Sequence, residues 1–544
     1  MTRLCLASFL FLFLGSSLCF GQSGASVDLD VNLIRARINN TGRHFSDDLG
    51  YARFEVPKTV TQPPFPKHVL SLSTLWFFAI DSATGDTLFS VQQYGQEGTD
   101  FGKGALPPNA PIGFQPIAQN LYSIFRDDVE NGADDSNSVT TTVKNWPAFY
   151  TYNNQQYSLA PIVDENKDGA YNAMIGDYPF MFGDQEIFFA YHDWVPHQIS
   201  NTEGLGVQVL VEAFAFASND DLNEMILLRY KVISQNRNLK DFRMGIYTDF
   251  DLGNYSDDMV GTDTSRNMVY AYNGDDDDEG VLGYGLNPPA VGVVFLDQPL
   301  CITCMHTNLP VWIDSTNAFR QPSKPHHYIN LLHGLNTVGD SMVAKGPGIP
   351  ASKTSTYSFN GDPVQGTGWT MDNDTFSPKD YRMLSITGNR KLSRGDTFEL
   401  TALYVYARTN SGGRLGGVEE LRDRVDWFNS IFKIKKQRIP ANCFNSDPSG
   451  EDSMGTGLTL QTALMAGIYP NPATNYVEVE LSDADALFSC EIVNELGQIL
   501  SKKEALRKTS LDCSDLPQGI YYIRLMELES GRSITHKLVI LRGN

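Results

Sequence analysis

The run Val207-Gln208-Val209-Leu210-Val211-Glu212-Ala213-Phe214-Ala215-Phe216-Ala217 carries β-branched and aromatic residues at a density that suits a pleated strand. The same texture returns at 225–233, 242–250 and 398–407, and several of these runs alternate clearly enough to imply one buried face. Helical spacing is convincing once, over 416–436. There Val418, Leu421, Val425, Phe428 and Phe432 recur every three or four residues opposite a charged face. The fold class expected is mostly β, a multi-domain β-sandwich architecture with one amphipathic helix and a small C-terminal Ig-like β-sandwich. A helix of this kind packs onto a sandwich, and a membrane-surface role does not suit so acidic a chain.

Length and charge narrow the options. At 544 residues the chain exceeds the roughly 250–300 at which single cores stop growing, so more than one domain is expected. Asp and Glu number 64 against 42 Lys and Arg, a formal charge of −22. Such a surface repels nucleic acid and anionic lipid and attracts cations. Most of these carboxylates serve solvation, but those that cluster with Asn and Gly in loops ask for another reading.

The two ends read as addresses. Residues 1–21 pair a basic start at Arg3 with an apolar run and small residues before a cut after Gly21, a secretory signal peptide too short to span a bilayer comfortably. Cys19 follows Leu18, where a lipoprotein site wants a small residue, so ordinary cleavage is expected. No later apolar run is long enough for a transmembrane segment in the mature chain. Residues 445–467, rich in Ser, Gly, Asp and Thr, form the expected linker between a β-rich region at 22–444 and a tail at 468–544.

The tail opens Ile468-Tyr469-Pro470-Asn471-Pro472-Ala473-Thr474 and alternates through Tyr476-Val477-Glu478-Val479-Glu480-Leu481. It continues with Ile492-Val493-Asn494-Glu495-Leu496-Gly497, Leu516-Pro517-Gln518-Gly519-Ile520-Tyr521-Tyr522-Ile523-Arg524 and His536-Lys537-Leu538-Val539-Ile540. Asn471-Pro472, Leu496-Gly497 and Gln518-Gly519 punctuate it with turns. In this order the elements resemble the type IX secretion C-terminal sorting domain (type A) of Bacteroidota-type bacteria. The resemblance implies passage to the periplasm, recognition by the type IX secretion machinery, and release outside or attachment to surface lipopolysaccharide. The mature N-terminal stretch 29–42, then Phe54-Glu55-Val56-Pro57, Leu75-Trp76-Phe77-Phe78-Ala79, Asp100-Phe101 and Trp146-Pro147-Ala148, resembles a group of large exported proteins with the same tail. That second resemblance names no reaction.

Two acidic loops carry the densest chemistry. Asp164-Glu165-Asn166-Lys167-Asp168-Gly169 sets oxygen side chains at alternate positions before a turning Gly, the first half of a calcium loop. Asn172 adds an oxygen, but the twelfth position is Ile175 where an EF-hand has Glu. Asp177 and Asp184 are the acids available to complete such a site. The competing reading is an Asx-rich turn bonded to its own backbone. The second group is Asp249, Asp251, Asp257, Asp258 and Asp263, followed by the run 275–278, which reads as an exposed loop. Calcium suits both groups better than magnesium, whose octahedron is stricter.

Other motifs are weak. Cys301-Ile302-Thr303-Cys304 has no companion CxxC and no redox-fold context, so a local disulfide or unpaired thiols is expected; Cys443 lies far from both, and Cys490 and Cys513 fall in phase with apolar neighbours of the tail. His326-His327 and His333 follow Pro325 and read as a surface loop. There is no HExxH, GxSxG or P-loop. A non-catalytic surface protein stabilised by calcium, binding a glycan or a neighbouring surface component, is therefore preferred. The alternative is an extracellular hydrolase acting on polysaccharide through paired Asp residues, whose spacing only a structure reveals.

Overall fold

The computed structural model describes residues 25–59, 66–94, 98–134, 138–309, 317–432, 466–469, 473–481, 487–494, 498–506, 508–528, 533–540 and 542. The proposed signal peptide, most of the linker, Cys443, and the Asn471-Pro472 and Leu496-Gly497 turns lie outside the described residues. The chain divides into two compact units, one running to Trp427 and the other carrying the C-terminal strands.

Two large antiparallel sheets build the first unit. One is ordered Ser26–Leu29, Arg35–Asn39, Phe54–Glu55, His68–Asp81, Leu239–Phe250, Tyr381–Leu392, Ile302–Thr307, with Thr87–Ser90 also paired to His68–Asp81. The other is ordered Asp258–Asp263, Met268–Asn273, Ala290–Phe295, Thr397–Ala407, Met225–Ser234, Val207–Ala215, Gln185–His192, Gly102–Lys103, with Tyr122–Phe125 also on Gln185–His192. Contacts cross between them. Phe242 meets Phe398 at 5.5 Å between ring centroids, and the Ser73 hydroxyl lies 2.7 Å from that of Tyr404. This is a β-sandwich, mostly β as the composition of its runs implies.

Alternation understates the burial. Val207–Ala215 and Gln185–His192 are buried at every residue, and His68–Asp81 at all but one. The reason is an extra layer outside each sheet. Trp76 stacks on Tyr247 at 4.8 Å, and Tyr328 of the helix Pro325–Leu332 meets Trp76 at 5.3 Å. On the other sheet, Phe188, Ala190 and Leu210 are covered by Val143, Trp146 and Tyr150, and the absence of a side chain at Gly292 lets Leu421 of the helix Gly413–Ile431 sit against Ala290–Phe295. That helix begins and ends earlier than its apolar spacing predicts, and Val418, Leu421, Val425 and Phe428 are buried as expected. Three shorter α-helices, Arg126–Asp134, Thr141–Lys144 and Pro325–Leu332, escape the periodicity argument because each is too brief to show a stripe.

Three expectations need correction. Cys304 is a free, buried thiol while Cys301 is disulfide-bonded, so the CxxC closes no local bridge. His326 and His327 sit on a helix, and His327 is fully buried, its Nε2 3.0 Å from the Arg320 guanidinium. The run 275–278 is exposed only at its start: Asp278 is fully buried, accepting from the N–H groups of Asn254 and Tyr284.

The second unit holds a three-stranded sheet, Ala466–Tyr469, Tyr476–Leu481, Lys508–Asp512, and a four-stranded one, Ile499–Ala505, Phe488–Val493, Gly519–Glu527, Ser533–Ile540. Val477, Val479, Phe488, Ile492, Ile523 and Leu538 form its core, and free Cys490 and Cys513 are buried among them. Removing such apolar side chains from water contributes about 1.5–3 kcal/mol each.

Candidate cation site

The loop at 164–184 is built on hydrogen bonds to its own backbone. Asp164 Oδ2 accepts from Gly169 N at 2.8 Å, Asn166 Oδ1 from Asp168 N at 2.9 Å, and Asp168 Oδ1 from Ala170 N at 2.8 Å. Asn172 Oδ1 accepts from Met174 N, and both oxygens of buried Asp177 accept backbone N–H groups, from Glu165 and Asn172. Asp184 turns to Arg126 at 2.9 Å and to Ala217 N at 2.8 Å. Lys167 and Gly169 adopt φ of 59° and 77°, the left-handed geometry of an Asx-rich turn. Of the side-chain oxygens expected to hold an ion here, Asp164 Oδ1 is buried with no hydrogen-bond partner among the described residues.

The second group converges differently. Asp249, Asp251 and Asp380 each place one carboxylate oxygen within 4.8 Å of the other two. Asp249 is the penultimate residue of Leu239–Phe250, Asp251 lies just past that strand's end, and Asp380 immediately precedes Tyr381–Leu392. Antiparallel pairing of these two strands sets Asp249 opposite Arg382, which brings Asp380 alongside. Arg382 Nε donates to Asp249 Oδ2 at 2.9 Å, and its NH1 lies 2.6 Å from Asp380 Oδ1. Tyr94 donates its hydroxyl to Asp249 Oδ2, Ser71 lies 2.6 Å from Tyr94 Oη, and Asn308 Nδ2 donates to Asp380 Oδ2 at 2.6 Å.

Asp249 is fully buried, and its Oδ1 has no hydrogen-bond partner among the described residues. A buried carboxylate oxygen without a partner is costly, and a cation is one way to satisfy it. Burial raises the Asp249 pKa against the pull of Arg382. Asp251 is held well above its ordinary range by burial and then by its neighbours Asp249 and Asp380. Burial and the Asp249 charge push Asp380 up to about 7, with Arg382 opposing. Fully ionised, three carboxylates against one guanidinium would carry a charge of about −2, which a divalent ion would cancel.

The other expected ligands part company. Asp258 is fully buried and its Oδ2 accepts from Leu252 N at 2.9 Å, while its Oδ1 has no hydrogen-bond partner among the described residues. Burial raises it well above the ordinary range, and Asp251, Asp257 and Asp278 add to the shift. Asp257 is pushed up to about 6 by burial and Asp278. Asp263, at the opposite end of Asp258–Asp263, ion-pairs with Arg266 at 2.8 Å and lies 3.5 Å from Arg422. Burial would raise its pKa, but bonds from Ser265 and Arg266 hold it below the usual value.

Sequence reading missed Asp380, Arg382, Tyr94 and Asn308. A lone Asp before a strand carries no local signal, and only the pairing of two distant strands places it beside Asp249. Elsewhere, a hollow of about 420 Å³ is lined by Asp81, Asn109, Trp194, Asn236, Arg237 and Asn238, and a smaller one of about 90 Å³ lies near Val139 and Met174. Neither is lined by the three acids.

Residues 467–541 match the family described as the secretion system C-terminal sorting domain. The tail is a type IX sorting domain, and the chain is exported to the cell surface or secreted. No helix among the described residues is long and apolar enough to cross a membrane. No curated protein matches the chain. Among solved structures it is similar to a biofilm-associated protein BSP domain, at 10% identity over 66% of this chain and 60% of that one, TM-score 0.14. It is also similar to PorZ, titled a surface component of the type IX secretion system of Porphyromonas gingivalis, at 9% identity over 94% and 74%, TM-score 0.13. Superpositions this loose carry no weight for the site. The chain spans about 60% of the length of the biofilm-associated structure.

Proposed function

We propose that this exported chain is a non-catalytic binding protein of the cell exterior whose sandwich is stabilised by calcium held between Asp249, Asp251 and Asp380. The supporting observation is the convergence of three acids around a buried Asp249 oxygen that has no hydrogen-bond partner among the described residues. Calcium takes six to eight oxygens in flexible geometry, and the Asn308 and Tyr94 side chains stand ready in the next layer. The acids lie at the end of a covered sheet, away from both hollows, which favours a structural ion over a catalytic pair. In this reading the sorting tail delivers the sandwich to the type IX machinery, and lipopolysaccharide attachment holds it at the surface.

Elemental analysis of protein purified without chelator tests the reading, combined with a turnover screen on polysaccharides. Bound calcium with no turnover supports it. Protein free of divalent ions would remove the calcium from it, and hydrolysis that disappears with Asp249→Asn would replace it with the hydrolase.

A further inference from the structure

The larger hollow lies where the chain passes from one sheet of the sandwich to the other. Asn236, Arg237 and Asn238 form the connection between Met225–Ser234 and Leu239–Phe250, and Trp194 follows Gln185–His192. Asp81 ends His68–Asp81, while Asn109 comes from the loop after Gly102–Lys103. The Arg237 guanidinium stands 5.4 Å from the centroid of the Trp194 ring. Its charge is already spent: NH1 is 2.5 Å from Asp81 Oδ2, and NH2 pairs with Glu203.

The amides on the rim are oriented. Asn109 Oδ1 accepts from the Arg394 guanidinium at 2.5 Å, and Asn238 Oδ1 from Arg394 N at 2.9 Å. Both residues are exposed, and with their acceptor ends occupied their Nδ2 groups remain as donors. Asn236 Nδ2 donates to Ala110 O at 3.3 Å, while Asn236 Oδ1 and Trp194 Nε1 are buried with no partner among the described residues. The hollow thus combines an aromatic ring, amides anchored through their acceptor ends and a neutralised ion pair. Its size, about 420 Å³, falls within the roughly 300–1,000 Å³ range of small-molecule sites.

We infer that this hollow binds a neutral sugar residue of a polysaccharide, with Trp194 as the apolar platform and the Asn109 and Asn238 amides as donors to ring hydroxyls. An anionic ligand fits less well, because Asp81 and Glu203 cancel Arg237 and the chain carries a formal charge of −22. The inference rests on the binding-protein reading above and gives it a place and a ligand class.

Calorimetry and tryptophan emission on the full chain test it, with neutral hexaoses of glucose, mannose and N-acetylglucosamine, and polygalacturonate as the anionic control. At least one neutral hexaose binds and shifts emission, Trp194→Ala weakens it about tenfold or more, and Asn238→Ala weakens it with an unchanged melting temperature. Failure of every neutral hexaose, binding of polygalacturonate alone, or unaltered binding by a folded Asn238→Ala variant overturns it. Repeating the titrations in calcium and in chelator separates the two proposals. Sugar binding without bound calcium contradicts only the metal, and bound calcium without sugar binding contradicts only the hollow.

Discussion

Asp249 and Arg382 face each other across paired strands, with Arg382 Nε 2.9 Å from Asp249 Oδ2, while the second oxygen of the same carboxylate has no hydrogen-bond partner among the described residues. One half of this acid is satisfied and the other half waits. The difference between those two oxygens carries the metal proposal, and most of the expectations below follow from it.

Asp251→Asn separates charge repulsion from ligation. Asp251 sits beside Asp249 and Asp380, and burial with those neighbours makes its ionised form unfavourable. A neutral amide there relieves the metal-free protein, so its melting temperature in chelator does not fall. The same change removes the calcium-induced rise, which for a ligand at a hundredfold excess over its Kd is worth about 2.7 kcal/mol. Thermal melts in calcium and in chelator check both halves.

Gly253 turns the chain just after Asp251 with φ of 63°, and a Cβ there would come within 2.0 Å of Asp278 Oδ2. Ala at this position is strained by its backbone and clashes with a buried carboxylate. Gly253→Ala is expected to destabilise by more than about 1 kcal/mol, read from denaturant midpoints, and to weaken calcium binding with it.

His44 gives the acid limb a defined sign. It is fully buried, 5.7 Å from the Phe189 ring centroid, and burial lowers its pKa to about 3 from an ordinary 6.5. The unfolded chain therefore binds a proton that the folded chain refuses. Its stabilising contribution is present above pH 6.5 and is lost as pH falls toward 3. Measured from pH 7 to 4, the stability of the wild type falls relative to that of His44→Gln, with a slope of up to one proton.

Deleting 468–544 removes the type IX sorting domain. Cells making the truncated chain retain it inside the envelope, as fractionation and surface proteolysis report. Its appearance outside in normal amount would show that the tail is not the address.

Strand character was legible wherever β-branched residues ran uninterrupted, as at 207–217 and 398–407, because period and propensity agree there. Burial on both faces was not, since Tyr328 and Leu421 cover the sheets from segments remote in sequence. The candidate site was half legible. Asp249 and Asp251 stand in an acidic run that draws attention, yet Asp263 in the same run answers to Arg266, and Asp380 arrives only through strand register. The loop at 164–170 matched a calcium pattern because Asx turns and calcium loops place the same residues at the same spacing. Backbone N–H groups, invisible in a sequence, bond three of its oxygens, while Asp164 Oδ1 has no partner among the described residues.

Calorimetric titration of calcium into chelator-stripped wild type and Asp249→Asn protein addresses the central claim most directly. Saturable heat in the wild type that vanishes in a folded Asp249→Asn variant is the result expected. Equal heats in the two proteins, or none in the wild type, would contradict it.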